Sequence, residues 1–187
     1  MLALGLSGSI ANAAPIIQDL QNARVQIFGF FAPVGQTFTA EDPRVSVGFF
    51  VSDLNAFAAP TDLDLVITLY EGAGTGGTQL GSGSITGLSA DFRGFVDVAF
   101  PSTVLSVGAV YTAIISNDTI RWALSYSRDN PYAGGTSIFA GSPVAVSDAT
   151  FRVLPLEVAV PEPASLALLG FGLAGLLAAR KRRRTPA

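Results

Sequence analysis

From Arg24 to Val158 the chain reads as one short strand after another, with nothing between them that has the period of a helix. The runs are Arg44–Val51, Asp64–Tyr70, Gly94–Phe100, Val110–Ile115, Thr119–Tyr126 and Asp148–Leu154, all rich in β-branched and aromatic residues. Such side chains are stiff at χ1 and pack well on a pleated surface. Clusters of Gly, Asp, Asn and Ser between the runs supply the turns. Val96, Val98 and Phe100 alternate with Asp97 and Ala99, as a strand with one face in a core and the other in water requires. Parallel strands need crossover connections, usually helices, so a parallel α/β fold is excluded. Only Pro15 to Ala23 has the composition of a short helix. A stretch of about 135 residues suffices for one domain with a real core. The predicted fold is all-β: an antiparallel β-sandwich, jelly-roll-like in topology, followed by one C-terminal transmembrane helix.

The chemistry open to this chain is bounded by what it lacks. It contains no Cys and no His. Disulfides, thiolate or imidazole metal ligation and the Ser-His-Asp arrangement are therefore closed to it. Apart from its last residues, the chain has six basic side chains: Arg24, Arg44, Arg93, Arg121, Arg128 and Arg152. They stand against thirteen carboxylates, giving this part a net charge of about −7. Nucleic acid needs the opposite sign and is set aside as a partner. An acidic, Lys-free surface suits an exported soluble domain and is compatible with divalent cations.

A few residues invite a chemical reading. Gly72-Ala-Gly-Thr-Gly-Gly77, continuing to Gly81 and Gly83, lacks the Gly-Lys-Ser/Thr of a phosphate loop and has no helix after it, so a flexible hairpin loop is expected. Asp62 and Asp64 put two carboxylates on one face of an extended segment, a candidate Ca²⁺ site with Asp118, Asp129 and Asp148 as further oxygen donors. Asp is equally a favoured turn residue, and no cofactor is required. Trp122 and Tyr126 share one side of a strand and form a candidate platform for sugar stacking, alongside Tyr132. The competing reading of Trp122 is a core anchor. A hydrolase would need two carboxylates at a fixed separation, and no pair is singled out. The chain is expected not to be an enzyme.

The C-terminus has three parts in fixed order: Val160-Pro161-Glu162-Pro163-Ala164-Ser165, an uncharged run over 164–179, and the cations Arg180, Lys181, Arg182, Arg183 and Arg184. Prolines keep the first part extended and accessible. Sixteen helical residues reach roughly 24 Å, short of a hydrocarbon core of roughly 30 Å, so Arg180 and Lys181 must snorkel or the bilayer must thin. A span this short suits a segment built for sorting and removal. The clustered cations place the C-terminus on the cytoplasmic side of the inner membrane and the body outside. Gly170, Ala174 and Ala178 add a weak small-residue packing face.

Residues 159–184 resemble the PEP-CTERM protein-sorting signal of Gram-negative bacteria that produce exopolysaccharide. The resemblance implies recognition by an exosortase, a membrane transpeptidase acting near Pro161, Glu162 and Pro163, which serve as substrate residues. It implies delivery to the cell envelope or extracellular matrix. Gln36–Thr39, Leu69–Gly72, Gly108–Thr112 and Asp148–Arg152 are loosely similar to the uncharacterised sandwich domains that precede such tails. At the other end, Met1 to Ile10 is apolar and Ala11-Asn12-Ala13 fits a signal-peptidase site, which implicates the export machinery. No Lys or Arg precedes Arg24, so residues 1–13 are expected to be the remnant of a signal peptide whose true start lies upstream. The expected organisation is thus 1–13 leader, 14–158 sandwich ectodomain and 159–187 sorting signal. The expected function is a noncatalytic envelope or matrix protein, with a carbohydrate-binding module for exopolysaccharide as the alternative and a carboxylate hydrolase behind both.

Overall fold

Strands make up every regular element among the described residues, which are 14–54, 64–118 and 121–156 of the computed structural model. The chain divides into two units, 1–156 and 157–187, and all described residues belong to the first. One sheet holds β1 (Ile16–Gln18), β2 (Ala23–Gln26), β4 (Val45–Asp53), β7 (Arg93–Ala99), β9 (Trp122–Ser127), β12 (Asp148–Ala149) and β13 (Phe151–Pro155). The other holds β3 (Val34–Thr39), β5 (Leu65–Glu71), β6 (Gln79–Ile85), β8 (Val110–Ser116), β10 (Ser137–Phe139) and β11 (Ser142–Val144). Every pairing is antiparallel. The first sheet contains the run β1-β13-β4-β7 and the second the run β3-β8-β5-β6.

Long β4 organises the first sheet. One edge pairs with β7 over Ser46–Ser52; the other meets β13 over Val45–Phe49 and then β9 over Val51–Asp53. Thr150 sits where that edge changes partner. Its N–H donates to the Ser125 carbonyl at 2.8 Å, and its own carbonyl accepts from the Phe50 N–H at 2.9 Å. Its hydroxyl donates to the Leu20 carbonyl at 2.8 Å. A buried backbone needs all its polar groups paired, and here one residue serves three segments.

The core lies between the sheets and follows from period-two burial. Leu65, Ile67 and Leu69 of β5 are fully buried, while Val66, Thr68 and Tyr70 between them are half-buried. Val45, Val47, Phe49 and Val51 of β4, Leu124 of β9 and Phe151 of β13 join Phe38, Tyr111 and Ile115 of the second sheet in one apolar cluster. Removing this surface from water, at about 25 cal/mol per Å² of apolar area, is the main favourable term in folding. The expected antiparallel β-sandwich is what forms, and the alternation read from Val96 to Phe100 holds residue by residue.

Two local expectations are corrected. The one stretch able to make a short helix, 15–23, does not: Ile16–Gln18 pairs with Phe151–Val153, and Ala23 already opens β2. Pairing with β13 buries Ile16 in the core and lets the Gln18 amide donate to the Ala149 carbonyl at 2.9 Å, gains that a surface helix would forgo. The glycine-rich stretch does make the expected hairpin, joining β5 to β6, but its later glycines are strand and not loop. Gly81 and Gly83 belong to β6, and a Cβ on Gly83 would overlap the Val98 side chain. The turn before them is pinned by Thr112, whose hydroxyl donates to the Gly72 carbonyl at 2.7 Å and accepts from the Gly74 N–H at 2.8 Å. The leader (1–13) and the apolar span (164–179) lie outside the described residues. Among the described residues no helix is long and apolar enough to cross a membrane.

Candidate functional site

Asp148, Asp97 and Asp53 are each placed by structural demands. Asp148 is fully buried at the start of β12. Its Oδ1 accepts from Gln36 Nε2 at 2.7 Å and its Oδ2 from the Tyr132 N–H at 2.7 Å, while Gln36 Oε1 accepts from the Ala149 N–H at 2.8 Å. With its nitrogen turned toward Asp148, the Asn130 amide donates to both carboxylate oxygens, at 3.1 and 3.0 Å. Burial pushes the Asp148 carboxyl above its usual range, against the lowering effect of the hydrogen bonds from Tyr132 and Gln36. The carboxylate ties β3 of one sheet to β12 of the other. Its acceptor sites are already filled, so it offers little to a cation.

Asp97 and Asp53 are occupied in ion pairs. Arg152 Nε donates to Asp97 Oδ1 at 2.7 Å, and its guanidinium lies over the Phe95 ring, 4.4 Å from the centroid. That hydrogen bond holds the Arg152 guanidinium more firmly protonated than usual. Arg121 pairs with Asp53 where β4 ends and β9 begins. Of the proposed Ca²⁺ pair, Asp62 lies outside the described residues; Asp64 is exposed, and its backbone carbonyl accepts from Asn117 Nδ2. Among the described residues no group of three or more His, Cys, Asp or Glu could hold a metal ion.

The candidate sugar platform divides in two. Trp122 and Tyr126 do share a side of β9, but that side faces the core. Trp122 is 0% exposed, edge-on to Phe92, so it has no ring face to offer a sugar. Its place in the platform is corrected to the core anchor. Tyr126 sits at the margin of the sandwich, half-buried, 5.2 Å from the Phe139 ring. There it lines a groove of about 290 Å³ with Phe31, Phe139, Arg24, Val25 and Gln26. Phe31 lies 6.3 Å from Phe139 and 5.1 Å from the 89% exposed Phe30. Sequence reading passed over this loop, although three phenylalanines interrupted by Gly29 and stopped by Pro33 are an unusual sequence for a surface turn.

The chain leaves the sandwich at a fixed point. β13 lies between β1 and β4 and ends at Pro155, and the Leu156 N–H still donates to the Arg44 carbonyl at 2.9 Å. Four positions after β13 ends, residues 159–184 match the family model of the PEP-CTERM protein-sorting motif. The chain carries a PEP-CTERM sorting signal. No curated protein matches the chain. The PEP-CTERM motif makes this protein exported cargo, sorted to the cell envelope by an exosortase. The chain contains neither His nor Cys, so no imidazole or thiolate acts in it as base, nucleophile or metal ligand. The motif's residues, Pro161 to Pro163, and the basic Arg180 to Arg184 lie outside the described residues.

Proposed function

We propose that the protein is held in the inner membrane by residues 164–179, with Arg180, Lys181, Arg182, Arg183 and Arg184 in the cytoplasm. An exosortase then acts near Pro161, Glu162 and Pro163 and passes the sandwich to the envelope or extracellular matrix. The match over 159–184 directly behind the last strand carries this reading. A cut there removes none of the described strands, since the pairings of β13 with β1 and β4 lie upstream of it. The delivered domain is a jelly roll in our reading. Counting β1, β3, β4, β5, β6, β7, β8 and β13 as one to eight, the sheets run 1-8-3-6 and 2-7-4-5, as two interleaved Greek keys give, with β9 inserted.

Such a domain acts by display and binding. A chain ending at residue 158 should still fold and still leave the cytoplasm, because every described strand is kept. It should lose its envelope-bound fraction, as read by immunoblotting of cell fractions against the full chain. An unchanged envelope-bound fraction would count against sorting through this tail.

A further inference from the structure

We infer that the outer face of the first sheet, where β2, β9, β4 and β7 lie side by side, carries a groove for an acidic polysaccharide, a chain of pyranose rings bearing carboxylates. The register places the groups. Arg24 stands opposite Ser125 across β2 and β9, and Ser52 of β4 is paired with both Ala123 of β9 and Arg93 of β7. Positions paired across a sheet, or two apart along a strand, point to the same side. Arg24, Ser125 and Arg93 therefore share the face turned away from the core, while Val25, Leu124 and Val51 share the inner one. On the outer face these three residues, with Gln21, Asn22 and Ala23, line a pocket of about 250 Å³.

Two observations select an anionic sugar. The first is where charge is left over. In a domain with six arginines and a net charge of about −7, Arg121 and Arg152 are consumed by ion pairs. Among the described residues neither Arg24 nor Arg93 has a carboxylate within ion-pair distance, and no carboxylate lines the pocket they share. Asp129 reaches it only through Asn22, whose amide donates to Oδ2 at 3.4 Å and whose Oδ1 accepts from the Arg128 N–H at 2.8 Å. Arg93 rests over the Phe50 ring, 5.7 Å from its centroid, which limits the rotamers it must give up on binding. Two such guanidiniums have the planar donor geometry that carboxylates accept in bidentate fashion.

The second observation is the neighbouring groove. Arg24 also borders the cleft of Phe31, Tyr126 and Phe139, beside β2, whose one paired neighbour among the described residues is β9. A pyranose presents a C–H face that lies flat on an aromatic ring, and its carboxylate would then fall toward Arg24. Aromatic walls with a few fixed polar groups are the usual lining of a ligand site. A lipid surface fits less well, because the rings line a concavity. This inference takes its setting from the envelope reading above. Its test is binding alone, so it can fail while the sorting motif stands.

The test is affinity electrophoresis of the full-length chain in neutral detergent, through gels containing polygalacturonate or neutral dextran. Polygalacturonate should retard the protein and dextran should not. In Arg24→Gln/Arg93→Gln the apparent affinity should fall by at least about tenfold, the scale of one lost charge-assisted hydrogen bond. Phe31→Ser should weaken retardation with both arginines in place. Both arginines are exposed, so an unchanged melting temperature shows that the double variant is folded. No retardation by polygalacturonate, or equal retardation of the double variant, would overturn the inference. So would loss of binding by the double variant to phosphatidylglycerol micelles but not to polygalacturonate, which would assign the groove to lipid.

Discussion

Trp122→Ala should destabilise the ectodomain by about 3–5 kcal/mol, the usual cost of deleting a large aromatic from a packed core. For a domain of this size that lowers the melting temperature by on the order of 10 °C. The indole is 0% exposed, meets Phe92 edge-on with centroids 6.2 Å apart, and belongs to the cluster that joins the two sheets. Its Nε1 is buried with no hydrogen-bond partner among the described residues, so the loss is one of packing rather than of a polar contact. Trp122→Phe keeps part of the volume and should cost less. Urea titration followed by circular dichroism measures both. If Trp122 were a surface platform instead, the alanine variant would change stability by no more than about 0.5 kcal/mol.

Arg121→Met alone should cost about 3–5 kcal/mol, since removing one partner of a buried ion pair strands the other. The side chains of Arg121 and Asp53 are 8% and 1% exposed. Asp53 Oδ2 also accepts from the Asp91 N–H at 2.8 Å, and the Leu54 N–H donates to the Arg121 carbonyl at 2.9 Å, so the pair clasps the end of β4 to the start of β9. Asp53→Asn/Arg121→Met strands no charge and keeps an acceptor for Asp91. It should therefore be more stable than Arg121→Met by about 1 kcal/mol or more. Equal stabilities of the single and double variants would mean that the cost comes from lost packing of the guanidinium rather than from the stranded carboxylate.

How much of this was legible in the sequence depends on how local each signal is. β4, β5, β7, β8, β9 and the β12–β13 stretch each declare themselves through a dense run of branched and aromatic residues, and the sandwich follows from them. β6 does not. Its inner face carries Gly81 and Gly83, because Val98 and Phe100 occupy the space their side chains would fill. A strand whose apolar half is supplied by its neighbour reads as a loop. β1 is three residues long and exists because Phe151–Val153 lies waiting some 130 positions away. The buried Gln36–Asp148 tie, across 112 positions, is equally silent.

The candidate site shows the same limit. Alternation correctly put Trp122 and Tyr126 on one side of a strand, but it could not say that the side faces inward. Arg24 and Arg93 come together because β2 and β7 flank the β4–β9 pair, a sheet order that no local pattern encodes. The sorting signal lies at the other extreme. Its proline-bracketed motif, apolar run and basic end are contiguous, so it can be read without any fold at all.

The mass of the mature protein tests sorting through the tail most directly. Intact-mass spectrometry of the chain purified from cells with an active exosortase, and from the same cells lacking it, reads where the C-terminus ends. The product should end near Pro161 to Pro163 in the first case and retain Arg180 to Arg184 in the second. In the Pro161→Ala/Glu162→Ala/Pro163→Ala variant the full tail should remain even with the exosortase present. A tail intact in every case, or removed regardless of the exosortase and of the motif, would contradict sorting through the tail.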